Sequence, residues 1–109
     1  MDNHALWVSR HPMDAKAEEE VKTRFNVNGV DSVDFAFSED SEKALNELQE
    51  LVNNYQIFGG VFPAQVWFSL LKNASNLKGK SMFLVVSKAL PVENGIRTFQ
   101  FDHLELLDL

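Results

Sequence analysis

No stretch of this chain constrains its fold more than Gln56-Ile57-Phe58-Gly59-Gly60-Val61-Phe62-Pro63-Ala64-Gln65-Val66-Trp67. It opens as an apolar run of β-forming residues, the pattern of a strand buried on both faces. Pro63 then suits the first position of a helix, where its missing N–H costs nothing. Ala64, Val66, Trp67, Leu70 and Leu71 follow at roughly helical spacing, with Phe68 between them. A strand running straight into a helix leaves the Ala64 and Gln65 amides open at the helix N-terminus, where an anion is favoured. The same joint also serves as plain scaffolding in α/β cores that bind nothing there.

The flanking chain keeps the alternation of strand and helix. His4-Ala5-Leu6-Trp7-Val8-Ser9 reads as a first, central strand, broken before Pro12. A helix follows with Asp14 as its N-cap. Its inner face is read on Ala17, Val21, Arg24 and Phe25, while Glu18, Glu19 and Glu20 face water. After Asn26 to Gly29, Val30 to Phe37 reads as a second strand nearer a sheet edge. The second helix is read from Ser41 to Asn54, on Ala44, Leu45, Leu48, Leu51, Val52 and Tyr55. The central strand and its helix end near Asn73, and Asn73 to Lys80 is a polar loop. Ser81 to Ser87 is a buried strand, Asn94-Gly95 is a hairpin turn signal, and Thr98 to His103 alternates as a last strand. Leu104 to Leu109 continues that strand or closes the domain.

This order predicts a compact three-layer α/β fold. Right-handed crossovers give a mainly parallel sheet with helices on both faces and an antiparallel C-terminal strand. The 109 residues read as one domain, long enough to bury a real core. The absence of cysteine excludes disulfides, thiolate metal ligands and cysteine nucleophiles. No apolar run approaches the roughly 20 residues that span a bilayer, and no signal peptide is visible, so the expectation is a soluble cytoplasmic protein with no membrane partner.

Charge narrows the function classes. A net charge of −6 argues against a general duplex-DNA binder. From Asp14 to Glu50 there are eleven acidic residues against four basic ones, whereas Leu51 to Lys88 holds Lys72, Lys78, Lys80 and Lys88 and no acid. The second half is therefore the one expected to tolerate an anion. His4, His11 and His103 show no metal-ligand spacing, and His4 and His103 read as satisfied strand residues. Gly59-Gly60 lacks the third glycine of a dinucleotide fingerprint, and closely packed backbone is the simpler account of it. No nucleophile elbow, Walker loop or zinc-protease motif occurs. No cofactor is expected.

In open α/β sheets ligands bind beyond the carboxyl ends of the strands, where strand order reverses. The loops expected there are Ser9-Arg10-His11, Phe62-Pro63-Ala64-Gln65 and Ser87-Lys88. Arg10 can grip a phosphate with two donors, and His11 can donate to it or act as general base. The plainer alternative pairs Arg10 with a surface carboxylate and makes His11 a helix cap. Gln65 can bond a base edge or ribose, and Lys88 can neutralise a phosphate, though solvation is the commoner fate of both.

Trp7-Val8-Ser9-Arg10-His11-Pro12, Gly60-Val61-Phe62-Pro63-Ala64-Gln65, and the late strand followed by Leu90-Pro91 and Gly95-Ile96-Arg97 resemble the small Csx-type CRISPR-associated proteins. The likeness is carried by short motifs in the same order across most of the chain. It implies a Rossmann-like fold akin to CARF domains, a homodimer, and binding or metal-independent cleavage of cyclic oligoadenylate second messengers, as in a ring nuclease. On that reading Arg10 stabilises phosphate charge, and His11 transfers or orients a proton. The Ala64 and Gln65 amides form an anion nest, and Lys88 and Arg97 are secondary charge partners. Gln65 stands where the family carries a histidine, which keeps open a non-catalytic sponge for the same ligand. A small phage or mobile-element interaction protein without a nucleotide site is the remaining alternative.

Overall fold

The computed structural model describes residues 3–73 and 77–109. The polar loop read over Asn73 to Lys80 thus lies partly outside the described residues. Among those described the elements are β1 (His4–Val8), α1 (Ala15–Phe25), β2 (Gly29–Val33), α2 (Ser41–Leu51), β3 (Ile57–Gly60), α3 (Ala64–Asn73), β4 (Ser81–Ala89) and β5 (Phe99–Asp108). The five strands form one sheet in the order β2-β1-β3-β4-β5. β1 pairs in parallel with β2 and β3, β3 pairs in parallel with β4, and β5 is antiparallel to β4. The mixed, mostly parallel sheet with an antiparallel C-terminal pair is the arrangement the sequence order predicts.

Alternate residues of β1 divide the core. Leu6 and Val8 join Ala44, Leu45, Leu48 and Val52 around α2, and Val66 and Leu70 of α3, with Phe58 and Met82 of the sheet. Ala5 and Trp7 point the other way, to Val21 of α1 with Phe83 and Leu104. Helices therefore cover both faces, α1 on one and α2 with α3 on the other. The chain steps one way from β1 to β2 and the other way from β2 to β3. Right-handed crossovers then place the intervening helices on opposite faces.

Local chemistry sets the helix ends. Asp14 caps α1 by accepting from the Lys16 and Ala17 amides, and Asp40 caps α2 through Glu42 and Lys43. α1 stops at Asn26, whose φ of 53° is left-handed. Lys80 Nζ donates to the Val52 and Tyr55 carbonyls at 2.9 and 2.6 Å, a cation at the end of α2.

Several boundaries differ from the expectation. β2 ends at Val33 instead of Phe37, because Ser9 N–H to the Val33 carbonyl is the last bond before the chain after β1 turns away. α2 ends at Leu51, not Asn54. Arg24 lies on the surface beside Glu20 rather than on the inner face of α1. Phe68 and Leu71 of α3 are 61% and 81% exposed, so its buried stripe is narrower than its spacing suggests. β4 runs on to Ala89 and β5 to Asp108, with a bulge between Val86 and Ser87. The hairpin closes at Asn94 and Gly95, whose φ values of 53° and 74° are those of the expected turn.

Candidate functional site

The cleft lies where the strand order reverses. The chain leaving β1 turns one way to α1, and the chain leaving β3 turns the other way to α3, which opens a gap beyond their adjacent carboxyl ends. A cavity of about 320 Å³ occupies it, lined by Ser9, Arg10 and His11 after β1, Phe35, Ala36 and Phe37 after β2, and Val61, Phe62 and Pro63 after β3.

Glycine makes the close approach of β1 and β3 possible. A Cβ on Gly60 would lie 2.0 Å from the Val8 carbonyl oxygen, and one on Gly59 would meet the Phe83 ring at 2.4 Å. Val61 N–H then donates to that same Val8 oxygen at 3.1 Å, holding the rim of the cleft against β1. The backbone-packing account of Gly59-Gly60 is therefore the right one.

The first loop is held from beneath. Ser9 is buried, and its hydroxyl oxygen accepts the His11 N–H at 3.1 Å. The Trp7 indole N–H donates to the His11 carbonyl at 2.9 Å while its ring stacks on Phe83. With their backbone fixed, the Arg10 and His11 side chains reach solvent at the cleft. Among the described residues no carboxylate lies within ion-pair distance of Arg10. The helix cap is Asp14, not His11. Neither plain alternative for these two residues is what the fold uses.

The opposite wall is aromatic; the sequence names Phe62 for it but not Phe35 or Phe37. Phe35, Phe37 and Phe62 form an edge-to-face chain, with centroids 5.3 Å apart for Phe35–Phe37 and 6.0 Å for Phe37–Phe62. Phe62 continues the chain to Trp67 at 5.6 Å. Two phenylalanines flanking an alanine beyond a short strand were the available signal. Their alternation reads as strand, but β2 ends at Val33.

Gln65 does not face the cleft. Its amide donates to the Ser38 carbonyl at 2.9 Å, and the Ser38 N–H donates to Glu47 at 3.1 Å, so both side chains pin the loop carrying the aromatic wall. Pro63 precedes α3 as its cap, its carbonyl accepting from Val66 and Trp67. Ala64 and Gln65 carry the first amides of α3, yet neither side chain lines the cavity.

Ser87, Lys88 and Arg97 are brought elsewhere. Gly59 is level with Phe83, so Gly60 is level with Leu84 and Ser87 stands three residues, about 10 Å, beyond it. All three are exposed on the projecting hairpin. The lysine-rich second half does not surround the cleft either, since Lys80 is committed to the end of α2 and Lys72 and Lys78 are not among the lining residues.

The amino ends of β1 and β2 hold a second polar cluster. His4 Nδ1 lies 2.8 Å from Asp31 Oδ1, and the Tyr55 hydroxyl donates to Asp31 Oδ2 at 2.7 Å. Those bonds, His4's first, hold the Asp31 carboxyl below its ordinary value, while donation to Asp31 raises the Tyr55 hydroxyl. On β5, His103 is flanked by Asp102 at 2.7 Å and Glu105 at 2.8 Å, which raise its imidazole. Both histidines are thus satisfied strand residues, as expected. Among the described residues no group of three or more His, Asp or Glu is placed to hold a metal ion, and no helix is long and apolar enough to cross a membrane. No protein-family model, curated protein or solved structure matches the chain.

Proposed function

We propose that the cleft binds cyclic oligoadenylate second messengers of CRISPR signalling, on a Rossmann-like fold akin to CARF domains, and that the chain is a metal-independent ring nuclease. One juxtaposition supports this: Arg10 and His11 stand together with Phe35, Phe37 and Phe62 in one cleft. A cyclic oligoadenylate presents adenine faces and phosphates on a single ring. An aromatic wall takes a base by stacking, worth about 1–3 kcal/mol per base, and a guanidinium takes two phosphate oxygens at once. The cavity is at the small end for ligand sites and suits one nucleotide unit, with the rest of the ring outside.

Cleavage by this route needs a 2′-hydroxyl in line with the adjacent phosphorus. The 2′-oxygen forms the new P–O bond, the 5′-oxygen leaves, and one proton moves from the first to the second. His11 relays that proton, and Arg10 stabilises the charge that builds on the phosphate oxygens. A sponge that holds the ring without cutting it is the second reading. It is favoured by the His11 imidazole having no hydrogen-bond partner among the described residues, and by the commitment of Gln65 to Ser38.

Incubating the purified protein with cyclic oligoadenylates of several ring sizes, with products separated by chromatography, tests both. Arg10→Ala is expected to weaken binding and slow cleavage. His11→Ala is expected to slow single-turnover cleavage by roughly 10²–10⁴-fold with a smaller loss of affinity. Binding without product favours the sponge. No binding to any ring removes both readings and leaves an interaction protein.

A further inference from the structure

The resemblance implies a homodimer without saying where it forms; we propose that β5 is its interface, two copies pairing antiparallel about a two-fold axis between Asp102 and His103 and joining two five-stranded sheets into one of ten. This inference rests on the edge strand and not on the cleft.

β5 is the longest strand and the last in the sheet order, and among the described residues nothing pairs its outer side. A row of unpaired N–H and C=O groups of that length is a template for another strand. It also carries apolar side chains that its own chain leaves open: Phe99 is 66% exposed, Leu106 44% and Leu107 48%. Edge strands are often protected by charge, and Asp102, Glu105 and Asp108 fit that reading for a lone chain. In one register, however, each of these acids meets a complement.

The bulge selects that register. Val86 pairs with His103 but Ser87 pairs with Phe101, so Asp102 is an extra residue. Side chains before and after it therefore alternate out of phase. Phe99 and Phe101, opposite Ala89 and Ser87, share the α1 face with Leu104 and Leu106, opposite Val85 and Phe83. Two such strands crossing at the bulge match faces only when paired residue numbers have an odd sum. With the axis between Asp102 and His103, Phe101 faces the second copy's Leu104, and Phe99 its Leu106. On the same face Arg97 meets Asp108. On the other face Gln100 meets Glu105, Thr98 meets Leu107, and Asp102 meets His103. On the α1 face apolar residues meet apolar ones, on the other face Leu107 meets only the Thr98 methyl, and every acid has a donor opposite it. A shift to either neighbouring odd sum sets Phe101 against Asp102, or Asp102 against Glu105.

The arrangement gives Arg97 a role that the cleft does not. It also sets the two clefts six strand spacings apart across the sheet, about 29 Å before twist, and at its opposite ends, so the second copy adds no residue to either.

Sedimentation velocity over a range of protein concentrations reads the dimer. Each dimer carries two Arg97–Asp108 pairs of modest individual worth, so Arg97→Asp is expected to raise the dimer dissociation constant about tenfold. Arg97→Asp with Asp108→Arg should restore it. The chain has no cysteine, which permits a second, geometric test. Gln100→Cys and Glu105→Cys variants, mixed and oxidised, should cross-link to each other, and neither should cross-link to itself. A monomer at every concentration, a reversal that its partner substitution does not rescue, or self-linking of either cysteine variant overturns the proposal.

Discussion

β1 and β5 belong to the same sheet, and both are rich in apolar residues. Four of the five residues of β1 are buried, whereas one of the ten of β5 is. Half of β5 is polar, but among the apolar residues alone all four of β1 are buried and one of the five of β5. β1 has a strand on each side and a helix layer above and below, so any apolar residue placed there is covered. β5 has one neighbour, and its alternating pattern yields cover only at Leu104, with Phe101 packing at the margin. Burial here follows position in the strand order. The same principle locates the cleft, since the two most enclosed strands, β1 and β3, are the ones whose carboxyl ends part.

Paired substitutions of one residue type across the two regions test this contrast most strongly. Phe58 is fully buried and Phe99 is 66% exposed. Phe58→Ala is expected to cost about 3–5 kcal/mol and Phe99→Ala no more than about 0.5 kcal/mol. Leu48, also fully buried, and Leu71, 81% exposed, form a second pair. Here the expected costs are about 2–5 kcal/mol and again about 0.5. Urea midpoints at low protein concentration, where association does not enter, report all four. Equal costs within either pair would break the comparison.

A smaller effect separates the two histidine–carboxylate clusters. Asp31 is held below its ordinary value, so its contribution is present above the unfolded value and lost as pH falls below about 4. His103 is raised, so its contribution is present below the ordinary histidine value and lost as pH rises above about 6.5. Asp31→Asn should flatten the acid side of the stability profile, and His103→Gln the neutral side. The Asp31 and His103 side chains are about equally exposed, at 46% and 44%, so solvent screening keeps both changes small. Thermal unfolding across pH 3 to 9 distinguishes them, and an unaltered acid limb in Asp31→Asn would remove the His4–Asp31–Tyr55 tie as a stabilising feature.

What was legible in the sequence is what depends on near neighbours. Asp14 and Asp40 beside helix starts, the Leu45–Leu48 stripe and Asn94-Gly95 are all local chemistry, and each does what its sequence context implies. Arg10 and His11 could be placed beside the cleft because a strand end and a proline lie within a few residues of them. Phe35 and Phe37 could not, because they stop being strand only where the chain after β1 turns away, a partner some 25 residues distant. The roles of Gln65 and Lys80 are not legible for a similar reason. Their acceptors, the Ser38 carbonyl and the Val52 and Tyr55 carbonyls, are set by how α2 packs beside α3 and β4. Side chains that serve a distant backbone group leave no periodic trace.

The Asn94-Gly95 turn has a consequence in time as well as in shape. It is the one connection in the sheet that joins paired strands directly, since β1 to β2, β2 to β3 and β3 to β4 each pass through a helix. A hairpin closes in about 1–10 μs, while parallel partners wait on the closure of much longer loops. The most solvated part of the sheet should therefore be among the earliest to form. Substitutions at the Val85–Leu104 pair are expected to slow folding, and those at the Val30 pairing of β2 chiefly to speed unfolding. Stopped-flow chevrons of Val85→Ala and Val30→Ala read the two limbs, and the opposite assignment would show that the enclosed strands gather first.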